Sequence, residues 1–287
     1  MRVAHEVGEL DSRPRAVAVG TFDGVHLGHR RVLEAARAAG LAPTVVTFDP
    51  HPRIALGYEV ELLATLDRRL GLIADLGIEE ALVLEFDLEL ARLGAEEFVD
   101  TVLRPLGTEI VVAGANFRFG RGREGDLVLL RRLGFDVRSV PLVDGASSTR
   151  IRDLLRAGEI ERSARLLGRP PELEGTVVAG DARGGTLGFP TANLRLDPQL
   201  LVPAFGIYAG SAEGTRAAIS IGTNPHYGGQ ERRIEAHLLD FDGDLYGRRL
   251  VLELWRRLRE ERAFESEEEL VAQIARDVEE TRAAKRP

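Results

Sequence analysis

The sequence contains no cysteine and a single lysine, Lys285. Without cysteine the chain cannot form disulfides, thiolate metal sites or a cysteine nucleophile. Without an internal lysine it lacks the phosphate-binding lysine of a Walker loop and the amine needed for a Schiff base. Any phosphate site in this chain must therefore use arginine, histidine, hydroxyl groups or backbone N–H groups.

Long apolar runs are also missing. No run approaches the roughly 18–20 apolar residues that a membrane helix needs, and the opening stretch MRVAHEVGELDSRPR has no hydrophobic signal core. We therefore expect a cytoplasmic protein with no membrane partner. The net charge of −8 argues against a general nucleic-acid-binding surface, although local arginine clusters remain able to bind phosphates. The 287 residues, 44% of them hydrophobic, suffice for two folded domains.

Up to about residue 168, short β-rich runs alternate with helix-like segments. The strand-like runs are 16–22, 43–48, 81–86, 109–114 and 136–142. The helix-like segments are 27–40, 66–76 and 95–106. This alternation predicts an α/β domain with a parallel sheet covered by helices on both faces. In such sheets ligands bind beyond the carboxyl ends of the strands.

From about Leu173 the pattern changes to short strands separated by glycine-rich turns, with no helices between them. The strand-like segments are GTVVAG, GIYAGSA, AAISIG, IEAHLLDF and LVLELW. This pattern predicts a small antiparallel β-barrel, and Ser266 is positioned to cap a terminal helix. The segment 168–175 contains two consecutive prolines and marks the junction. We therefore predict two domains, residues 1–168 and 169–287.

The stretch GTFDGVHLGH (20–29) is the first candidate site. His26 and His29 are three residues apart at the start of a predicted helix, so they share a face beside free N–H groups that favour anions. Gly24 and Gly28 would let a nucleotide approach the backbone closely. The alternative is that the histidines only cap and pack a tight strand–helix turn. A zinc site has less support, because the sequence has no HExxH motif.

A second segment, SSTRIRDLL (147–155), places hydroxyl groups and Arg152 at another predicted helix start. The hydroxyls could act only as caps, or they could join the guanidinium in binding phosphates. HxGH followed far downstream by SSTxIR resembles the HxGH nucleotidyltransferase superfamily. That superfamily transfers a nucleotide from a triphosphate and releases pyrophosphate. Such transfer relies on positioning and electrostatics.

The segment GANFRFGRGREGD (114–126) sets Phe117 and Phe119 among glycines and arginines. The two rings could be core residues, but this composition favours a ligand-binding loop. Together with GTFDGVHLGH, TFDPHPR (47–53) and SSTRIR, this segment resembles the FMN adenylyltransferase domain of prokaryotic bifunctional riboflavin kinase/FAD synthetases. The resemblance implies a Rossmann-like fold, with His26 and His29 stabilising charge on the α-phosphate of ATP. It implies flavin contacts by Asn116, Phe117 and Arg118. It implies nucleotide contacts by Gly20, Phe22, Asp23, Gly28, Ser147, Ser148, Thr149 and Arg152.

The segment GDARGGTLGFPTANL (180–194) contains no Walker motif, yet its glycine N–H groups and arginine could wrap a phosphate chain. Its glycines could equally serve only a hairpin. LGF followed by PTAN resembles the riboflavin kinase signature. This resemblance implies phosphate contacts by Gly180, Arg183 and Gly188, and nucleotide and Mg²⁺ binding by Thr191 and Asn193, whose oxygens suit this cation.

The resemblance also makes Glu235 the catalytic carboxylate and places Arg259 and Glu261 near the flavin. From the residues alone, these three side chains could be ordinary surface charges. In the N-terminal part, Ala146 stands before the two serines where the family usually has a branched aliphatic residue. The kinase part departs from the family pattern in two places. Gly185 stands where arginine or lysine is usual, and His226-Tyr227 replaces Thr-Phe.

The resemblance covers roughly residues 13–282 and implies two reactions. Riboflavin would be phosphorylated by ATP to FMN in the C-terminal domain, which is riboflavin kinase-like. FMN would then be adenylylated by ATP to FAD in the N-terminal domain, with Mg²⁺ accompanying ATP. One alternative keeps the HxGH chemistry with another acceptor, such as phosphopantetheine. Another is a flavin or nucleotide sensor without catalysis. The sequence does not indicate the oligomeric state.

Overall fold

A computed structural model describes residues 1–180, 183–223 and 232–287, with the side chain of Arg183 outside the described part. The chain divides into two compact units. The first consists of Met1–Leu62 and Leu66–Ser148, and the second of Leu63–Thr65 and Thr149–Pro287. The domain boundary predicted at residues 168/169 stays a prediction.

The first unit is built on a parallel sheet, as predicted. Its described strands are β1 (Arg2–Ala4), β2 (Arg15–Val19), β3 (Ala42–Asp49), β4 (Glu80–Glu85), β5 (Thr108–Gly114) and β6 (Asp136–Val140). They lie in the order β1-β4-β3-β2-β5-β6. From β2 the chain moves outward through β3 and β4, then returns to the other side of β2 with β5. The order therefore reverses between β2 and β5, where α/β sheets bind ligands.

Helices cover both faces of this sheet. They are α1 (Leu27–Arg37), α2 (Pro52–Ala55), α3 (Leu66–Ala74), α4 (Leu88–Arg92), α5 (Ala95–Phe98) and α6 (Leu127–Arg132). Alternate residues of β2 enter different hydrophobic clusters. Val17 packs in the cluster that holds Phe98, whereas Ala16 packs in the cluster that holds Leu33 of α1 and Ile73 of α3. Burial on both faces explains why the sequences of β2 to β5 are largely apolar.

The second unit contains the predicted antiparallel barrel, closed in the order β10-β11-β8-β7-β12-β9. Its strands are β7 (Glu172–Val178), β8 (Ala192–Leu196), β9 (Gly206–Ala212), β10 (Thr215–Thr223), β11 (Arg232–Leu238) and β12 (Arg249–Arg259). Its helices are α7 (Ser148–Arg156, which begins at the last residue of the first unit), α8 (Ile160–Leu167), α9 (Arg183–Thr186) and α10 (Glu267–Ala283). Ile234 and Ala236 of β11 enter the barrel core. Glu235, between them, therefore faces outward.

The terminal helix begins as predicted. The Ser266 hydroxyl accepts a hydrogen bond from the Glu269 N–H at 3.2 Å, which satisfies one free donor of the first turn of α10. The expectation of no helix between the barrel strands is wrong, because α9 lies between β7 and β8. This single turn is closed by N–H groups of Leu187 and Phe189 that donate to the Gly184 carbonyl. One helical turn in a glycine-rich segment has no apolar periodicity that could reveal it.

Among the described residues, no helix is both long and apolar enough to span a membrane.

Candidate active sites

The first candidate site lies at the carboxyl end of β2, where the strand order reverses. The turn that follows β2 has positive φ at Phe22 (50°), Gly24 (78°) and Val25 (38°). Phe22 and Val25 are each only 2% exposed, so packing holds two non-glycine residues in a backbone region that they rarely adopt. Asp23 between them is 1% exposed. The turn after β2 is therefore buried and has a strained backbone.

His26 is the N-cap of α1. Its Nδ1 accepts hydrogen bonds from the N–H groups of Gly28 at 3.1 Å and His29 at 3.3 Å. Because Nδ1 acts as acceptor, the neutral ring carries its proton on Nε2. A Cβ at Gly28 would lie 3.0 Å from Cε1 of His26, so glycine gives this imidazole room to fold back over the helix start. His26 can therefore both cap α1 and contact a ligand, because the cap uses Nδ1 and not Nε2.

His29 stacks on His26, with ring centroids 3.6 Å apart and planes 18° apart, and its other neighbour Phe22 meets it edge-on at 5.3 Å. Burial, with smaller electrostatic contributions from His26 and Arg69, holds the pKa of His29 well below its usual value. Its Nδ1 is buried and has no hydrogen-bond partner in the described part of the chain. A neutral ring with an unsatisfied nitrogen suits a polar ligand.

Arg69 of α3 was not singled out from the sequence, yet it holds this edge of the sheet together. It is 3% exposed and donates to the carbonyl oxygens of Thr21 at 3.0 Å and Phe48 at 2.9 Å. These carbonyls follow β2 and end β3, so one guanidinium links the two strand ends. Burial lowers the pKa of Arg69, although Asp23 and Asp49 oppose that shift. No signal in the sequence marks Arg69, because it is one of many arginines on predicted helices.

The serine-rich segment meets the same turn. The Ser148 hydroxyl donates to the Asp23 carbonyl at 2.9 Å, and Ser147 precedes it. At the strand end, Gly20 donates to the Val46 carbonyl at 3.0 Å. The first unit therefore brings Gly20, Phe22, Asp23, Gly28 and Ser148 together with the two histidines. Thr149 and Arg152 lie on α7 in the second unit, where Arg152 is 8% exposed.

The predicted flavin loop follows β5, the strand beside β2. The rings of Phe117 and Phe119 stack with centroids 5.6 Å apart, and Phe119 is part of the core whereas Asn116 is exposed. Arg118 donates to Asp126 at 2.7 Å. Asp126 also caps α6. Hydrogen bonds from the backbone N–H groups of Leu129 and Val128, followed by that from Arg118, lower the pKa of Asp126. Because β2 and β5 are parallel neighbours, this loop and the histidine turn leave the same sheet edge.

The second candidate site is a cavity of about 350 Å³ on the outer side of the barrel. Strand register aligns one row of outward residues, Asn193, Glu235, Ser220, Ile207 and Arg259. All but Asn193 line the cavity, together with Thr191 and His237. The segment 184–189 and the segment from Arg259 into α10 complete its walls. Glu235 therefore faces a walled cavity, with 25% of its side chain exposed. Ser220 was missed because its strand alternates small residues without a polar motif.

Two side chains, Arg233 and His237, organise the wall around Glu235. Arg233 pairs with Glu235, Nη2 to Oε1 at 2.7 Å, and its Nε donates to Asn193 Oδ1 at 3.3 Å. His237 Nδ1 lies 2.8 Å from the Pro190 carbonyl, and its ring meets Phe189 edge-on at 5.5 Å. The Phe-Pro-Thr segment is thereby tied to β11, beside the proposed base.

The far end of the cavity is cationic and aromatic. Arg259 forms a two-point ion pair with Asp277 of α10, at 3.0 Å from Nε to Oδ1 and 2.7 Å from Nη2 to Oδ2. Arg259 and Arg262 both lie over the ring of Phe264. Burial raises the pKa of Glu261, although Arg259 opposes the shift. Asp277 could not be found from the sequence, where it reads as one charge of a polar helix.

The glycine-rich segment is only partly within the described residues. Gly180 lies against the Asn193 side chain so closely that a Cβ there would overlap it, and Gly188 has a φ of 85°. Outside Gly185 itself, its two chain neighbours and the backbone of α9, no atom of the described residues lies within 4 Å of the place where a Cβ of Gly185 would stand. Arg183 begins α9, but its side chain, like His226 and Tyr227, lies outside the described residues.

The donors near Glu235 suit a magnesium ion better than a transition metal. The described residues contain no cluster of three or more histidine, cysteine, aspartate or glutamate side chains that could hold a metal. Thr191 and Asn193 instead offer a hydroxyl and a carboxamide oxygen. Mg²⁺ prefers such oxygen ligands and commonly keeps waters and substrate phosphates in its shell. The residues present therefore fit a metal that arrives with a nucleotide.

Comparison with known proteins covers both units. The FAD synthetase family profile matches residues 9–152 and the riboflavin kinase family profile matches residues 167–285. Bifunctional riboflavin kinase/FMN adenylyltransferases from Listeria monocytogenes and Escherichia coli are each 36% identical. The first alignment covers 94% of this chain and 92% of the relative, and the second covers 96% and 95%. A solved structure described as the macrolide-efflux protein from Streptococcus pneumoniae is 33% identical, with a TM-score of 0.88 and 98% of each chain covered.

A parallel sheet with paired histidines at its edge and a closed barrel with a carboxylate-bearing cavity define a two-part transferase that uses nucleotides. The full-length relatives make the assignment specific. The chain belongs to the bifunctional riboflavin kinase/FMN adenylyltransferase family. The efflux description of the pneumococcal structure applies to that protein alone; its likeness supports the shared fold along the whole chain.

Proposed function

We propose that this chain makes FMN and then FAD, with one reaction at each candidate site. The barrel cavity phosphorylates riboflavin with ATP, and the sheet edge adenylylates FMN with a second ATP and releases pyrophosphate. The observation that carries this proposal is the placement of the two signatures. The histidine pair lies at the carboxyl end of β2 in the first compact unit, and the PTAN–Glu235 group lies at a cavity of the barrel in the second.

At the sheet edge, the FMN phosphate oxygen attacks the α-phosphorus of ATP. A new P–O bond forms, the α–β bridge bond breaks and pyrophosphate leaves. We assign His26 and His29 to the developing charge on the α-phosphate, aided by the positive end of the α1 helix dipole. Gly20, Phe22, Asp23, Gly28, Ser147, Ser148, Thr149 and Arg152 are assigned to the nucleotide. Asn116, Phe117 and Arg118 are assigned to the flavin.

In the barrel cavity, the ribityl 5′-hydroxyl of riboflavin attacks the γ-phosphorus of ATP and ADP leaves. Glu235 takes the hydroxyl proton as the P–O bond forms. Gly180, Arg183, Gly188, Thr191 and Asn193 are assigned to the nucleotide, and Arg259 and Glu261 to the flavin. Mg²⁺ held through Thr191 and Asn193 would neutralise phosphate charge. A cytoplasmic location fits these substrates and stays part of the proposal.

Incubating the full chain with riboflavin, ATP and Mg²⁺, followed by chromatography, tests this function. We expect FMN to appear first and FAD later, and EDTA to prevent both. A bound but unchanged flavin would identify a sensor. FMN that accumulates without FAD, combined with adenylylation of supplied phosphopantetheine, would identify a different acceptor for the first site.

A further inference from the structure

Arg233 occupies a distinctive place in the barrel cavity. It lies two residues before Glu235 on β11, so both side chains project from the same outward face. Both line the cavity, and only 28% of the Arg233 side chain and 25% of the Glu235 side chain are exposed. The pair is therefore shielded far more than an ordinary surface ion pair, which contributes little.

The guanidinium holds two different side chains at once. Nη2 lies 2.7 Å from Oε1 of Glu235, while Nε donates to Oδ1 of Asn193 at 3.3 Å. Glu235 and Asn193 are direct partners in the register of β11 and β8. Because a guanidinium is planar and presents its donors in a fixed fork, one side chain sets the directions of both the carboxylate and the carboxamide.

This arrangement is not needed to hold the strand in place. β11 is hydrogen-bonded to β8 on one side and to β10 on the other, and its inward residues Ile234 and Ala236 are buried in the core. The ion pair between Arg233 and Glu235 is not part of this strand pairing or of the buried core. Its evident effect is local, on the orientation of two polar groups at the cavity wall.

We propose that Arg233 is a positioning residue of the kinase reaction and acts through Glu235. The inference rests on the proposed function, in which Glu235 accepts the proton of the ribityl hydroxyl. A carboxylate has two acceptor oxygens. With Oε1 pinned by Arg233, Oε2 has a defined direction toward the substrate hydroxyl, and the ordering of a flexible glutamate is completed before the reaction begins. The same guanidinium plane orients the Asn193 carboxamide through the hydrogen bond from Nε.

Arg233→Gln in the full chain tests the proposal. We expect kcat for FMN formation to fall about 10- to 100-fold, the scale of a small misplacement of a reacting group. The KM for riboflavin should stay within about twofold, as should FAD formation from supplied FMN. Arg233→Lys should recover part of the loss, since an ammonium still pairs with the carboxylate. Arg195→Gln, which removes an exposed arginine of β8 outside the cavity lining, should change neither activity.

A double-mutant cycle separates positioning from a general structural effect. If Arg233 acts mainly through Glu235, the loss caused by Arg233→Gln should be several-fold smaller in a Glu235→Gln background than in wild type, and any loss that remains is the share carried by Asn193. An equal loss in both backgrounds, or wild-type kcat in the single Arg233→Gln variant, would overturn the inference. Normal turnover in Glu235→Gln alone would instead refute the proposed base. A slow Glu235→Gln with a normal Arg233→Gln would refute only the role of Arg233.

Discussion

His29 shows how burial sets the charge of one side chain. Its pKa is depressed by burial first and by His26 and Arg69 next, so the folded protein resists protonating it. The unfolded chain takes up this proton near pH 6.5, the ordinary value for histidine. Below that pH the unfolded state binds more protons than the folded state, and stability must fall as pH falls. Above about pH 6.5 His29 is neutral in both the folded and the unfolded state, so this histidine causes no loss of stability there.

His29→Gln should therefore weaken the acid sensitivity of the fold. Between pH 7.5 and 5.5, wild type should lose more stability than the variant, by at most about 1.4 kcal/mol per pH unit below 6.5. Thermal melts of both proteins at the two pH values measure the difference. Parallel loss of melting temperature in the two proteins would show that His29 is not protonated differently on unfolding.

Arg69 links two strand ends through carbonyl contacts to Thr21 and Phe48. Arg69→Lys keeps the charge but cannot reproduce the two-point fork. We expect FAD formation from FMN to slow about 10-fold or more, because displacement of the histidine turn by a fraction of an ångström harms alignment. Riboflavin phosphorylation should be unchanged. An adenylylation rate equal to wild type would mean that the turn holds its shape without this contact.

At the scale of elements, α1 begins with a histidine cap, which is unusual because asparagine, aspartate and serine are the stronger caps. His26→Ala removes both the cap and the imidazole, whereas His26→Asn restores a cap without an imidazole. The alanine variant should lose about 1 kcal/mol of stability. The asparagine variant should recover most of that loss. Both should be slow in FAD formation. Chemical denaturation and FAD assays on the two variants check this, and an active His26→Asn would reduce His26 to a cap.

The long periodic elements could be predicted from the sequence, but several short ones could not. Strands β2 to β5 were found because runs buried on both faces are largely apolar. In β6 only Val137 is buried, so that strand carried a weaker signal. β1 (Arg2–Ala4) is three residues long, too short for any periodicity, and its position beside β4 comes from tertiary pairing. β8 begins within the PTANL segment, where the ligand-like residues obscured the alternation of Ala192 and Leu194 toward the core.

The candidate sites follow the same division. His26, His29 and Glu235 stand in motifs with recognisable spacing. Arg69, Arg233 and Asp277 do not, since each is a single charge in an arginine- and glutamate-rich sequence. Their roles depend on register and burial, which bring residues together that are distant in the chain, such as Arg259 and Asp277.

At the scale of the whole molecule, the extent of the kinase part can be tested with fragments. The cluster that fills the barrel includes Ile151, Leu155, Ile160 and Leu167 of α7 and α8 as well as strand residues. A fragment of residues 149–287 keeps these side chains, whereas a fragment of residues 169–287 exposes the surface that they cover. Both should fold if the predicted boundary holds, with the longer one more stable because it buries more apolar area.

Urea denaturation and FMN formation by the two fragments give the answer. We expect both to make FMN and neither to make FAD. An insoluble shorter fragment beside an active longer one would move the boundary to α7. FAD produced by either fragment would contradict the assignment of adenylylation to the sheet edge.

The division of two reactions between two sites is tested most directly by crossing two variants with two assays in the full-length chain. Each variant is given riboflavin with Mg²⁺ and ATP, or FMN with Mg²⁺ and ATP, and the initial rates are compared with wild type. His29→Ala should lower FAD formation about 10²- to 10³-fold and leave riboflavin phosphorylation unchanged. Glu235→Gln should lower riboflavin phosphorylation about 10²- to 10⁴-fold and leave FAD formation from FMN unchanged. Loss of both reactions in either folded variant, or normal rates of both, would contradict the account.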